Sequence, residues 1–128
     1  MILTAIFMVI AGIFNAVMDT LRFEYYSSVF SFITDRKLVN WVNPTMSQYN
    51  KWKPGLFGRK ERFFGSSTFL VWLTDLWHMA KGLMILFIGL AIVAYHPAIN
   101  KFFDLAIAIA AFTCTFELTN RLLLSKHK

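Results

Sequence analysis

The sequence predicts an all-α integral membrane protein: three transmembrane helices with an amphipathic interfacial segment on the cytoplasmic side. Three observations predict it. Apolar runs cover residues 2–18, 82–95 and 105–116, broken only by Thr4, Asn15 and two threonines. The composition is 57% hydrophobic, with a mean hydropathy of +0.54, far above that of a soluble globular chain. Basic residues gather in one segment: eight Lys or Arg lie between positions 22 and 62 against Glu24, Asp35 and Glu61, whereas the turn at Pro97 has only Lys101 against Asp104. Transmembrane β-strands would alternate polar and apolar residues, which these runs do not.

The 128 residues form a single membrane domain with spans at about 2–21, 68–95 and 102–124 and a basic loop at about 22–67. By the positive-inside rule the loop and the Lys126-His127-Lys128 tail are cytoplasmic, with the N-terminus and the Pro97 turn outside, in a bacterial inner membrane. A cleaved signal peptide fits the first span less well, since Met1-Ile2-Leu3 leaves no room for a basic n-region. The net charge of +6 does not make a nucleic-acid binder, because no part of the chain offers a basic soluble surface. The lone Cys114 rules out an intrachain disulfide.

The first span carries a stripe at Met8, Gly12, Asn15, Asp19 and Arg22, spaced three and four apart on one helix face, and this face is expected to meet the other spans. Residues 23–41 read as an amphipathic helix with Tyr26, Val29, Phe30 and Ile33 on one side and Glu24, Ser28, Ser31 and Asp35 on the other, lying on the membrane or continuing the first span into the cytoplasm. Residues 40–55 are turn-rich, with Pro44, Pro54 and Gly55. Here Trp41, Tyr49 and Trp52 beside Lys51 and Lys53, followed by Arg59, Lys60 and Arg62, suit the water boundary of an anionic membrane. Lys51, Lys53, Arg59 and Arg62 are the expected lipid-headgroup contacts.

Ser66, Ser67 or Thr68 can cap the second span, on which Asp75, His78, Gly82, Ile85 and Gly89 share a face. Its uninterrupted apolar run covers only about 21 Å of a hydrocarbon core about 30 Å thick, so the span borrows preceding turns and takes in His78 and Lys81. His96-Pro97 ends it and Asn100 begins the third, giving a hairpin of antiparallel neighbours. The third span has the same design: Ala106, Ala110, Thr113 and Cys114 lead down to Glu117, Asn120 and Arg121.

At about 1.5 Å per residue from the outer ends, Asp19 and His78 lie about 26 Å deep, Arg121 about 24 Å, Asn15 about 20 Å and Glu117 about 18 Å. Asp19, Asp75, His78 and Glu117 are therefore expected to converge at the cytoplasmic leaflet, supported by Asn15, Lys81, Asn120 and Arg121. Three carboxylates and an imidazole suit a divalent metal, Zn, Mn or Fe, whose bound water would attack a lipid ester or headgroup phosphodiester. The expected function is thus a metal-dependent lipid hydrolase. A non-catalytic subunit of a membrane assembly is the alternative, because Asp19 has Arg22, Asp75 has His78 and Glu117 has Arg121 within one helical turn as pairing partners. A proton or ion path comes third, since the outer halves of the spans are apolar. The glycine and alanine stripes point to a homo-oligomer or another membrane protein as partner.

Overall fold

A computed structural model describes residues 1–124; the basic tail expected in the cytoplasm lies outside the described residues. The α-helices are α1 (Ile2–Phe23), α2 (Arg36–Val42), α3 (Ser47–Lys51), α4 (Leu76–Val93) and α5 (Lys101–Leu123). Among the described residues the only strand-like feature is an isolated bridge between Trp52 and Glu61. α1, α4 and α5 are long and apolar enough to cross a membrane.

α1 is the central helix. Its buried positions Thr4, Ala11, Gly12, Ala16 and Thr20 are small, Leu21 alone being large, so neighbours approach its backbone closely. A Cβ built on Gly12 would stand 2.6 Å from the Phe112 carbonyl oxygen, so α1 and α5 touch backbone to backbone there. Towards α4 the contact is aromatic: the Phe87 ring lies 6.0 Å from Phe7 and 5.9 Å from Phe14. The expected α4–α5 pair is corrected by this arrangement: both helices pack on α1 and make little contact with each other. Two helices joined by a short turn need not pair when a third offers both a smoother face.

The predicted glycine face of α4 is also not its interface. Ile85 is 56% exposed, Gly89 is exposed with open space around its notional Cβ, and the buried positions are Ala80 and Ala91. Gly82 meets only the Trp72 side chain.

The segment joining α1 to α4 differs most from expectation. No single amphipathic helix covers residues 23–41; two 3₁₀ turns, Tyr25–Ser27 and Val29–Phe32, give way to extended chain and then α2. Ser28 back-bonds to the Tyr25 carbonyl at 2.8 Å and Ser31 to the Ser28 carbonyl at 2.9 Å, local contacts that compete with a continuing helix. Burial follows the expected sides only in part: Phe30 and Ile33 pack on the core, whereas Tyr26 is 71% exposed and Tyr25 and Ser28 are buried. Leu21, Tyr25 and Val42 form a small core with Trp41, Leu76 and Trp77 packed around it.

α4 begins at Leu76, eight residues beyond the expected start at 68. Its cap is Asp75, whose carboxylate accepts the His78 backbone N–H at 2.9 Å, rather than Ser66, Ser67 or Thr68. Eighteen residues make about 27 Å, close to the hydrocarbon thickness, and they include His78 and Lys81, the turns that the apolar run at 82–95 was expected to borrow. α5 starts as expected, with Asn100 accepting from the Phe102 and Phe103 backbones at 3.1 and 2.9 Å.

Candidate functional site

Where α1 ends and α4 begins, the connecting segment folds back onto the bundle. Asp35 caps α2 by accepting from the Lys37 and Leu38 amides, and Asn43 caps the Pro44–Met46 turn by accepting from the Thr45 amide. The turn leads directly into α3. Ser47 and Lys51 are its first and last residues, four apart on one face, and Asp75 and His78 are three apart at the start of α4. The two short faces meet residue by residue.

Ser47 Oγ donates to Asp75 Oδ2 at 2.8 Å, and Lys51 Nζ lies 3.0 Å from His78 Nε2. His78 Nδ1 stands 2.8 Å from both Asp75 oxygens. The Thr74 hydroxyl is 3.0 Å from Asp75 Oδ2 and 2.6 Å from the Val71 carbonyl. Asp75 is 1% exposed, so its carboxylate is buried yet fully engaged.

The geometry assigns the imidazole's proton. Asp75 accepts only, so Nδ1 carries the hydrogen; an ammonium donates only, so Nε2 turns its lone pair to Lys51. A doubly protonated ring would set two N–H groups of like charge against each other on the Lys51 side. His78 is thus a neutral base held by a buried acid, with its free nitrogen facing a lysine.

The surroundings fix Lys51 by its backbone. Its carbonyl accepts from Ser66 Oγ at 2.7 Å and from the Arg62 amide at 2.9 Å, and the Lys53 amide donates to the Lys60 carbonyl at 3.1 Å, which closes residues 51–62 into a hairpin. Glu61 braces the next turn by accepting from the Gly65 and Ser67 amides and from the Ser67 hydroxyl. These bonds, the Ser67 hydroxyl first, hold its carboxyl below the usual Glu range. Ser66 and Ser67 are therefore occupied elsewhere and form no nucleophilic dyad with His78. Beside the cluster opens a pocket of about 320 Å³ lined by Arg22, Pro44, Ser47, Asp75, Trp77 and His78.

Of the four residues expected to converge, the structure brings together Asp75 and His78 only. Asp19 is half-buried on α1, and Glu117 is exposed on α5 in a shallow groove with Thr113, Cys114, Leu118 and Arg121. Among the described residues, no three His, Cys, Asp or Glu side chains group closely enough to hold a metal ion, so the donor set does not fit one. Asp75 and His78 are joined by a hydrogen bond to a neutral ring, and among the described residues no carboxylate pairs with a lysine or arginine, so Asp19–Arg22 and Glu117–Arg121 do not form. Helical depth placed these groups at one level, but Glu117 points away from the bundle.

The supporting residues divide likewise. Asn120 accepts from the Thr20 hydroxyl at 2.8 Å and ties α5 to α1. Lys81 lies 5.3 Å over the Trp77 ring; Asn15 is half-buried and Arg121 exposed, neither at the cluster. Lys53 and Arg59 are exposed on the hairpin, and Arg62 donates to the Tyr49 carbonyl at 2.7 Å. Lys51, expected at the headgroups, is instead on His78. Ser47 and Thr74 were not legible as site residues; the available signal was Asn43-Pro44, a helix-start signature that puts Ser47 and Lys51 on one face.

Comparison with protein-family models, curated proteins and solved structures found no match.

Proposed function

We propose that the protein is an integral membrane hydrolase acting on a lipid ester or headgroup phosphodiester at the cytoplasmic leaflet, with His78 as general base. The observation that carries this reading is the buried Asp75 carboxylate 2.8 Å from His78 Nδ1, which makes Nε2, beside an open pocket, the basic nitrogen once Lys51 turns away from it. In the reaction Nε2 removes a proton from water as the water oxygen bonds to the carbonyl carbon or phosphorus. The ester oxygen then leaves and takes that proton back from Nε2. Asp75 stays ionised and steadies the imidazolium formed between the two steps.

Three apolar helices supply the membrane setting. The excess of Lys and Arg in the connecting segment supports placing it on the cytoplasmic face and favours an anionic lipid. Arg22 at the pocket rim and Lys53, Arg59 and Lys60 on the hairpin suit a phosphate. The test is release of fatty acid or headgroup from anionic lipid in reconstituted nanodiscs. Activity that His78→Asn abolishes supports the reading; activity unchanged by that substitution contradicts it.

A second reading, a non-catalytic subunit of a membrane assembly, is favoured by one observation. Between α4 and α5 lies an apolar crevice of about 400 Å³, lined by Thr4, Met8, Ile92, Leu105 and Ala108 among others, of a size that takes side chains of a neighbouring helix. A stable hetero-complex with no hydrolysis would select it.

A further inference from the structure

The Lys51–His78 contact poses a difficulty for any reaction at this site. An ammonium 3.0 Å from Nε2 donates into the lone pair that a base must use. Lys51 is held there without a carboxylate partner, since among the described residues no lysine or arginine pairs with a carboxylate. Glu61, the loop acid nearest along the chain, is spent on Gly65 and Ser67. The ammonium's hydrogen bond therefore goes to a neutral nitrogen, a weaker acceptor than an anionic oxygen. Its backbone is fixed by Ser66 and Arg62, so only the flexible four-carbon stem need turn for the charge to move.

We infer that Lys51 masks His78 until an anionic lipid phosphate draws it away. On the proposed function, on which this inference rests, headgroup binding and exposure of the base are then one event. A phosphate at the pocket rim would meet Arg22 on one side and the turned Lys51 on the other, and its charge-assisted bonds replace the neutral one to Nε2. The exposed cations Lys53, Arg59 and Lys60 raise the local concentration of such headgroups around the hairpin. The site would therefore discriminate by charge: a phosphatidylcholine leaves it masked, and an anionic phospholipid opens it.

Diethylpyrocarbonate, which acylates an unmasked imidazole nitrogen, reads this without any turnover. The full chain would be reconstituted in phosphatidylcholine nanodiscs, in phosphatidylcholine nanodiscs with phosphatidylglycerol, and in phosphatidylcholine nanodiscs with added inorganic phosphate. Modification of His78 would be measured by mass spectrometry relative to His96, which is exposed at the opposite end of the bundle and senses the same surface pH. The expected result is a ratio about tenfold higher with phosphatidylglycerol, the equivalent of losing one hydrogen bond to a charged donor. Lys51→Met, which keeps most of the stem and removes the charge, should give the high ratio in all three preparations. An equal ratio in neutral and anionic nanodiscs for the wild type would overturn the inference, as would a Lys51→Met ratio as low as the masked wild type. The same rise from inorganic phosphate would overturn the lipid as its source. Because no lipid is cleaved in this readout, unmasking without hydrolysis would remove the proposed enzyme and keep the gate, and hydrolysis without unmasking the reverse.

Discussion

Each end of the bundle buries one carboxylate beside the start of a helix, and the two are put to different uses. At the turn end Asp104 is 1% exposed and accepts from the Ala98 amide at 2.9 Å, the Ile99 amide at 3.4 Å and the Tyr95 hydroxyl at 3.1 Å. Nearby the Met1 amine donates to the His96 carbonyl and the Thr4 hydroxyl to the Ala94 carbonyl, so the chain start and the turn close over each other. At the other end Asp75, equally buried, takes one backbone amide and spends the rest of its capacity on the side chains of Ser47, Thr74 and His78. The first acid holds backbone and the second holds a base. Burial alone does not separate them; the second nitrogen of His78, turned towards Lys51 and the pocket, does.

That contrast can be broken from either side. Asp75→Asn should lower hydrolysis by about a thousandfold, because the amide can no longer hold the proton on Nδ1, while the helix cap survives since Asn caps as well as Asp. A lipid-hydrolysis assay beside a circular-dichroism melt checks both halves. Asp104→Ala should do the reverse: activity within twofold, and a melting temperature lower by about 5 °C as three donors lose their acceptor.

Gly12→Ala tests the frame that both ends share. With 2.6 Å to the Phe112 oxygen, its methyl group must push α1 from α5, at about 1–3 kcal/mol measured by denaturant unfolding in detergent. The smallest effect is at the hairpin. The Glu61 pKa is lowered in the fold, so its bracing is fully present above the ordinary value of 4.5 and is lost as pH falls through the lower folded value. Exchange of the Gly65 and Ser67 amides with deuterated solvent should accelerate below that pH relative to the rest of the loop, and Glu61→Gln should remove this pH dependence.

The three long helices were legible because hydropathy over about 20 residues is a property of sequence alone. Asn100 as a cap was legible for the same local reason. Partnership was not: Gly82 and Gly89 align on one face of α4, yet small residues are also tolerated at exposed positions, and only packing on α1 decides. Asp75 and His78 were found together because i and i+3 on a helix is a local relation. Lys51 and Ser47 arrive from more than twenty residues upstream through two caps and a fold-back, and no periodicity encodes that. The alternating Tyr26, Val29 and Phe30 suggested a helix, while Ser28 and Ser31 were already bonding their own backbone.

Nitrogen-15 NMR of the histidine-labelled protein in phosphatidylcholine nanodiscs tests the account most directly. The account predicts a neutral His78 protonated at Nδ1, with an Nε2 signal that shifts in Lys51→Met and a tautomer that is lost in Asp75→Asn. A His78 protonated at Nε2, or one indifferent to both substitutions, would contradict it, and Asp75 would then be a cap like any other.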